Sequence, residues 1–149
     1  MTLRLILSDL KTSIEALAPT TDSSNTFKFI TNLPAVEIDN MTDGIRHREI
    51  LLVINDYQPQ DDFGAQIVAS NLAIELHVVH YWRDIDAFES ETVRVEDSAL
   101  ITEAMLFDRP GSANGIRFWE KDDESIVRTG QHVTTILEFT GHTRLLALA

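Results

Sequence analysis

The stretch LAIELHVVHYW, residues 72–82, decides the fold. Read as a strand, it places Leu72, Ile74, Leu76, Val78, His80 and Trp82 on one face. Ala73, Glu75, His77, Val79 and Tyr81 fall on the other, because successive side chains of a strand point to opposite sides. Five of the first six side chains would belong in a core, and His80 sits among them. Read as a helix, the same residues would bring His77 and His80, three apart, to one side as metal ligands, but the helical reading has no clean polar face. The strand reading is therefore preferred, with His77 on a solvated face and His80 in the buried row.

Working outward, REILLVIN at residues 48–55 is apolar on both alternating faces and reads as a central strand covered on both sides. The polar segment DYQPQDDFGAQ, residues 56–66, contains Pro59 and Gly64 and reads as a long exposed loop between the two strands. Upstream, Leu3, Ile6, Leu7, Leu10, Ile14 and Leu17 recur at helical spacing, and Pro19 ends that helix. FKFI at 27–30 and AVEI at 35–38 read as short strands, and NMTDG at 40–44 as a turn. Downstream, RDIDAFESE reads as an acidic linker. DSALITEAMLF at 97–107 reads as a second helix, with Asp97 as N-cap and Leu100, Ala104 and Phe107 on one face. GIRFWE, SIVRT and HVTTILEFT read as a three-stranded antiparallel meander, with KDDE and GQ as its turns. Strands clustered apart from helices predict a single α+β domain over residues 1–149. Its sheet should be mainly antiparallel, of about five to seven strands, packed with two helices.

Composition narrows the function. The 149 residues suit one domain, and a hydrophobic fraction of 44% with 24% charged residues is that of a folding chain. The net charge of −12 disfavours tight, sequence-independent binding to a phosphate backbone. Arg46, His47 and Arg48 form the densest basic stretch. The absence of cysteine removes disulfides, thiolate metal sites and a cysteine nucleophile. MTLRLILSDLK is too short and too interrupted for a signal peptide or a membrane span, so synthesis in the cytoplasm and no membrane partner are expected.

Candidate chemistry is sparse. Asp84 and Asp86 with Glu89 and Glu91, or Asp61 with Asp62, could hold a divalent cation through carboxylate oxygens. The spacing is not that of an EF-hand, and a solvated connector is the simpler reading. KDDE at 121–124 reads as a turn, not a catalytic pair. No G-x-S-x-G elbow and no phosphate-binding glycine loop occurs, so no catalytic residue, cofactor or metal ligand is assigned and no enzyme activity is expected. A metal-dependent hydrolase would need His77, His80 or His132 to meet Asp84 or Asp86. A ligand-binding domain would need Trp82 and Trp119 to line a pocket, where core packing or a subunit contact is the simpler reading.

In the order of its elements the chain resembles the tail-terminator, or tail-completion, proteins of long-tailed bacteriophages. The likeness is carried by the opening helix LRLILSDLKTSIEAL and by REILLVIND and LAIELHVVHYW flanking a polar loop. The helix near ALITEAMLF and the closing strand HVTTILEFTG complete it. It covers nearly the whole chain as a pattern, without a signature motif. It implies a virion structural protein that assembles into a homohexameric ring on the last ring of the tail tube. Its partners would be itself, the tail-tube protein and the head-tail connector, and DNA would pass through without tight binding. Another neck, connector or minor tail protein is the nearest alternative. The resemblance also implies that the polar loop orders on assembly, which makes Asp61, Asp62, Phe63 and Gly64 the candidate interface residues.

Overall fold

The computed structural model describes residues 3–21, 26–30, 47–58, 62–63, 66–67, 71–81, 87–130 and 132–143. Among these, helix α1 (Leu3–Glu15) opens the fold, followed by strands β1 (Lys28–Phe29) and β2 (Glu49–Tyr57). A small pair, β3 (Asp62–Phe63) and β4 (Gln66–Ile67), precedes the long strand β5 (Asn71–Tyr81). Helix α2 (Ala87–Glu103) then runs into a π-turn at Ala104–Asp108, and β6 (Ile116–Thr129) and β7 (His132–Thr143) close the fold. The main sheet has the order β1-β2-β5-β7-β6. β1 runs parallel to β2 and every other pairing is antiparallel. This is the expected α+β domain, its main sheet at the low end of the expected strand number.

The parity argument for β5 holds. Leu72, Ile74, Leu76, Val78 and His80 are buried, and the intervening residues are half-buried, except for Val79, which is buried too. The buried row meets Ile6, Leu10 and Ile14, the fully buried stripe of α1, together with Ile101 and Met105 from the α2 side and Leu137 and Phe139 from β7. Burying each such aliphatic side chain contributes about 1.5–3 kcal/mol, which makes this single cluster the main source of stability. Side-chain acceptors then fix α1 in place. Asp9 Oδ2 accepts the Gly111 amide at 2.6 Å, and Glu15 Oε2 accepts the Phe29 amide at 3.2 Å. Gly111 has φ +85°, and a Cβ there would lie 2.9 Å from Ile6 Cγ2, so α1 can approach this corner only over a glycine.

Four expectations need correction. β5, not β2, lies at the middle of the main sheet: among the described residues β1 pairs with β2 only at Glu49 and Ile50, and Ile54, Asn55 and Asp56 are exposed. The segment 56–66 is not one open loop, because β2 continues to Tyr57 and Asp62–Phe63 pairs with Gln66–Ile67. The second helix begins at Ala87, so part of the expected acidic linker is its first turn, where Glu89 complements the helix dipole. The expected three-stranded meander is a two-stranded hairpin. β6 runs unbroken through KDDE with a bulge between Lys121 and Asp123, and a bulge absorbs one extra residue without ending a strand. Thr129 pairs with His132 at the expected reversal, where Gly130 has φ +56°; Gln131 lies outside the described residues. The candidate strand 35–38 and turn 40–44 lie outside the described residues.

Candidate functional site: a buried ion-pair cluster and an open sheet face

His80 and His77 do face opposite ways. His77 Nε2 lies 3.3 Å from Glu75 Oε1 on the half-open face, and His80 is buried with Nε2 2.7 Å from Asp97 Oδ2. Asp97 is therefore no N-cap. It lies in the middle of α2 on the buried face, with Val93, Arg94, Ser98 and Ile101. The same carboxylate takes two hydrogen bonds from Arg48, from Nε at 2.7 Å and Nη2 at 3.2 Å. Arg48 also donates to the Thr21 carbonyl at 2.6 Å. The guanidinium side chain is 0% exposed and Asp97 1%, so the last residue of the densest basic stretch, Arg48, belongs to an interior ion pair.

Arg48 also has φ +67°, the left-handed region that side chains with a Cβ rarely adopt. Its backbone holds it there from both sides, with N–H donating to Val79 O at 2.8 Å and O accepting Lys28 N–H at 3.2 Å. The cluster thus ties the start of β2, the end of β5, Thr21 and the middle of α2 together. Its cation is paired and bonded in the interior, closed to solvent. A buried histidine needs a hydrogen-bond partner, and that requirement is the signal in the sequence that could have led from His80 to Asp97.

The other candidate groups are dispersed. Among the described residues no three or more His, Asp or Glu side chains group in a way that could hold a metal. His132 contacts the Tyr81 ring at a centroid distance of 4.1 Å, and His142 stacks on Phe118 at 4.6 Å while reaching Glu120 at 2.9 Å. Lys121 pairs with Glu124 at 3.0 Å along the edge strand. Trp119 is a core residue, 3% exposed, whose Nε1 donates to Pro110 O at 2.8 Å. Asp61, Gly64, Trp82, Asp84 and Asp86 lie outside the described residues, whereas Asp62 and Phe63 form β3.

Glu91, a residue of the expected acidic run, is a helix residue bound to Arg94 Nη2 at 2.6 Å and Nε at 3.2 Å. Hydrogen bonds from Arg94 hold its carboxyl below the usual glutamate range. The charges of Arg94 and Arg128 and a hydrogen bond from Arg128 add to this, against a partial opposing effect of burial. A lowered folded-state value stabilises the fold above the unfolded value and loses that contribution as pH falls through the folded one. Glu91→Gln is therefore expected to lower stability by about 1 kcal/mol or less near neutral pH, since the carboxylate is partly exposed and screened. Thermal melts of variant and parent should converge in acid; a gap that widens there contradicts the assignment.

On the sheet face turned away from α1, the register lays three acids abreast. Asp123 on β6 is directly opposite Glu138 on β7, which is directly opposite Glu75 on β5. Like charges opposite one another across strands are destabilising. The same face carries Leu51, Val53 and Ile136, half-buried, with Phe118 and Val127 exposed. Neither the models of protein families nor the curated proteins give a match to this chain.

Proposed function

We propose that this chain is a structural subunit of a virion, a non-enzymatic tail terminator. Copies of it would close into a ring, sixfold as the family resemblance implies, on the end of the tail tube and offer a surface to the head connector. The observation that supports the reading most is the apolar surface one copy leaves in solvent. Among the described residues Phe88, Phe107 and Phe118 are exposed, with Leu106, Val95, Ile126 and Val127. Large aromatic side chains at a surface are anchors of protein interfaces, and a chain that works alone would lower its solubility by displaying them. The net charge of −12 suits a conduit that DNA traverses without adhering. The edge strand β6 is a poor site for strand addition, because it is bulged and carries Lys121, Asp122, Asp123 and Glu124. Assembly is thus assigned to side-chain surfaces.

The test is assembly state. Light scattering over a concentration series, followed by electron microscopy with and without purified tail tubes, should give closed rings that cap tubes. A chain that stays monomeric at every concentration and ignores tube ends is not a tail terminator.

A further inference from the structure

Resting on the self-assembly reading, we infer that neighbouring copies meet head to tail, with the corner after α2 of one copy docked on the acid row of the next. The corner begins at the π-turn, which leaves Phe107 74% exposed beside the exposed Leu106. Arg109 follows, then the turn through Pro110 and Gly111. That turn packs on the start of β6 through Ile116 N–H to Gly111 O at 3.1 Å and Trp119 Nε1 to Pro110 O at 2.8 Å. Arg117 is the bulged residue of β6, between Ile116, which pairs with Thr143, and Phe118, which pairs with His142. Two arginines therefore project from adjacent segments. Both are exposed, and neither makes an ion pair among the described residues. The neighbouring Asp108 offsets one of them and leaves the corner cationic.

Arg109 carries a second signal. It terminates the π-turn at φ +48°, a left-handed position that glycine ordinarily fills. Of the two non-glycine residues at positive φ among the described residues, Arg48 is held by a buried ion pair, and Arg109 is exposed with none. A left-handed backbone carrying an exposed side chain without an ion pair is expected where that side chain serves an external partner. The acid row is the complement: Asp123 and Glu138 repel one another within the copy, next to a Glu75 that has His77 beside it, and would be relieved by two guanidinium groups. Phe107 and Leu106 would meet the apolar Ile136 next to the row and Val127 farther along β6. Two different surfaces of the same chain make a heterologous contact, the kind that generates rings.

Charge reversal tests the contact in the full chain. Arg109→Glu with Arg117→Glu, or Asp123→Lys with Glu138→Lys, should each raise the concentration for half-assembly about tenfold or more. Mixing the two variants should restore assembly. Two milder changes separate a docking role from a structural one: Arg109→Gly and Glu138→Gln should both raise the melting temperature of the monomer while weakening assembly. If the parent assembles and the reversals leave it unchanged, or the mixture fails to recover, this contact is wrong and the ring reading stands. If the acid-row variants lose only tail-tube or connector binding, the row faces a foreign cationic partner and the inference falls. A parent that never assembles removes both.

Discussion

Asp97→Ala is expected to lower the unfolding free energy by about 3–5 kcal/mol, the cost of breaking a buried ion pair from one side. A domain of this length has roughly 7–20 kcal/mol in total, so the loss is a large share of it. The Arg48 side chain has no exposure and so cannot exchange Asp97 for water. Truncation would remove both hydrogen bonds from Arg48 to Asp97, while the one to the Thr21 carbonyl would stay. It would also strip His80 of its partner at Nε2, on a ring whose Nδ1 is already buried without one. The loss would reach the backbone, because the side chain helps hold Arg48 at φ +67°. Denaturant unfolding followed by circular dichroism should show a lower midpoint. Asp97→Asn, which keeps the shape and one acceptor oxygen, should fall between parent and alanine variant. Removing all three polar groups together, as Arg48→Met, Asp97→Leu and His80→Leu, should recover much of the loss. A change of under about 1 kcal/mol for Asp97→Ala would mean that Arg48 finds another partner at no cost.

The unequal legibility of this chain in its sequence has physical causes. β5 was readable because a half-covered strand alternates with period two, and its parity alone separated His77 from His80. α1 was readable because its three fully buried residues recur every four. α2 was cut short because its buried face includes Arg94, Asp97 and Ser98, so apolar periodicity fades where ion pairing takes over. The π-turn then shifts the phase, so Phe107, expected on the buried face, is exposed. The break assigned at KDDE followed from reading four polar residues as a turn, whereas on an edge strand polar residues and a bulge are a protective device. The acid row had no local signal. Residues 75, 123 and 138 come together only through the registers of three strands. The loop candidates Asp62 and Phe63 are strand residues, whereas the corner at Leu106–Arg109 carries no sequence signal beyond that of a helix end.

Gly141 should tolerate no side chain unless Trp119 gives way. It lies in β7 directly opposite Trp119 on β6. A Cβ on it would come 2.8 and 2.9 Å from Trp119 Cζ3 and Cη2 and 3.0 Å from Ile116 Cδ1, distances that require something to move. The indole is not free to do so: it is 3% exposed and pinned through Nε1 to Pro110 O at 2.8 Å. Displacing it would also disturb the turn at Pro110–Gly111 that receives α1 through Asp9. Gly141→Ala is therefore expected to cost about 1–3 kcal/mol by overpacking, even though alanine suits an extended strand better than glycine does. Gly141→Val should cost more, because its two methyl groups meet the same wall. The decisive measurement is a double-mutant cycle with Trp119→Leu, which itself removes core volume and loses stability. If the clash is the cause, the pair should be less destabilised than the sum of the singles by about 1 kcal/mol or more. Additive losses would place the cost in the backbone of β7. The glycine would then be required by strand conformation, not by the ring packed against it.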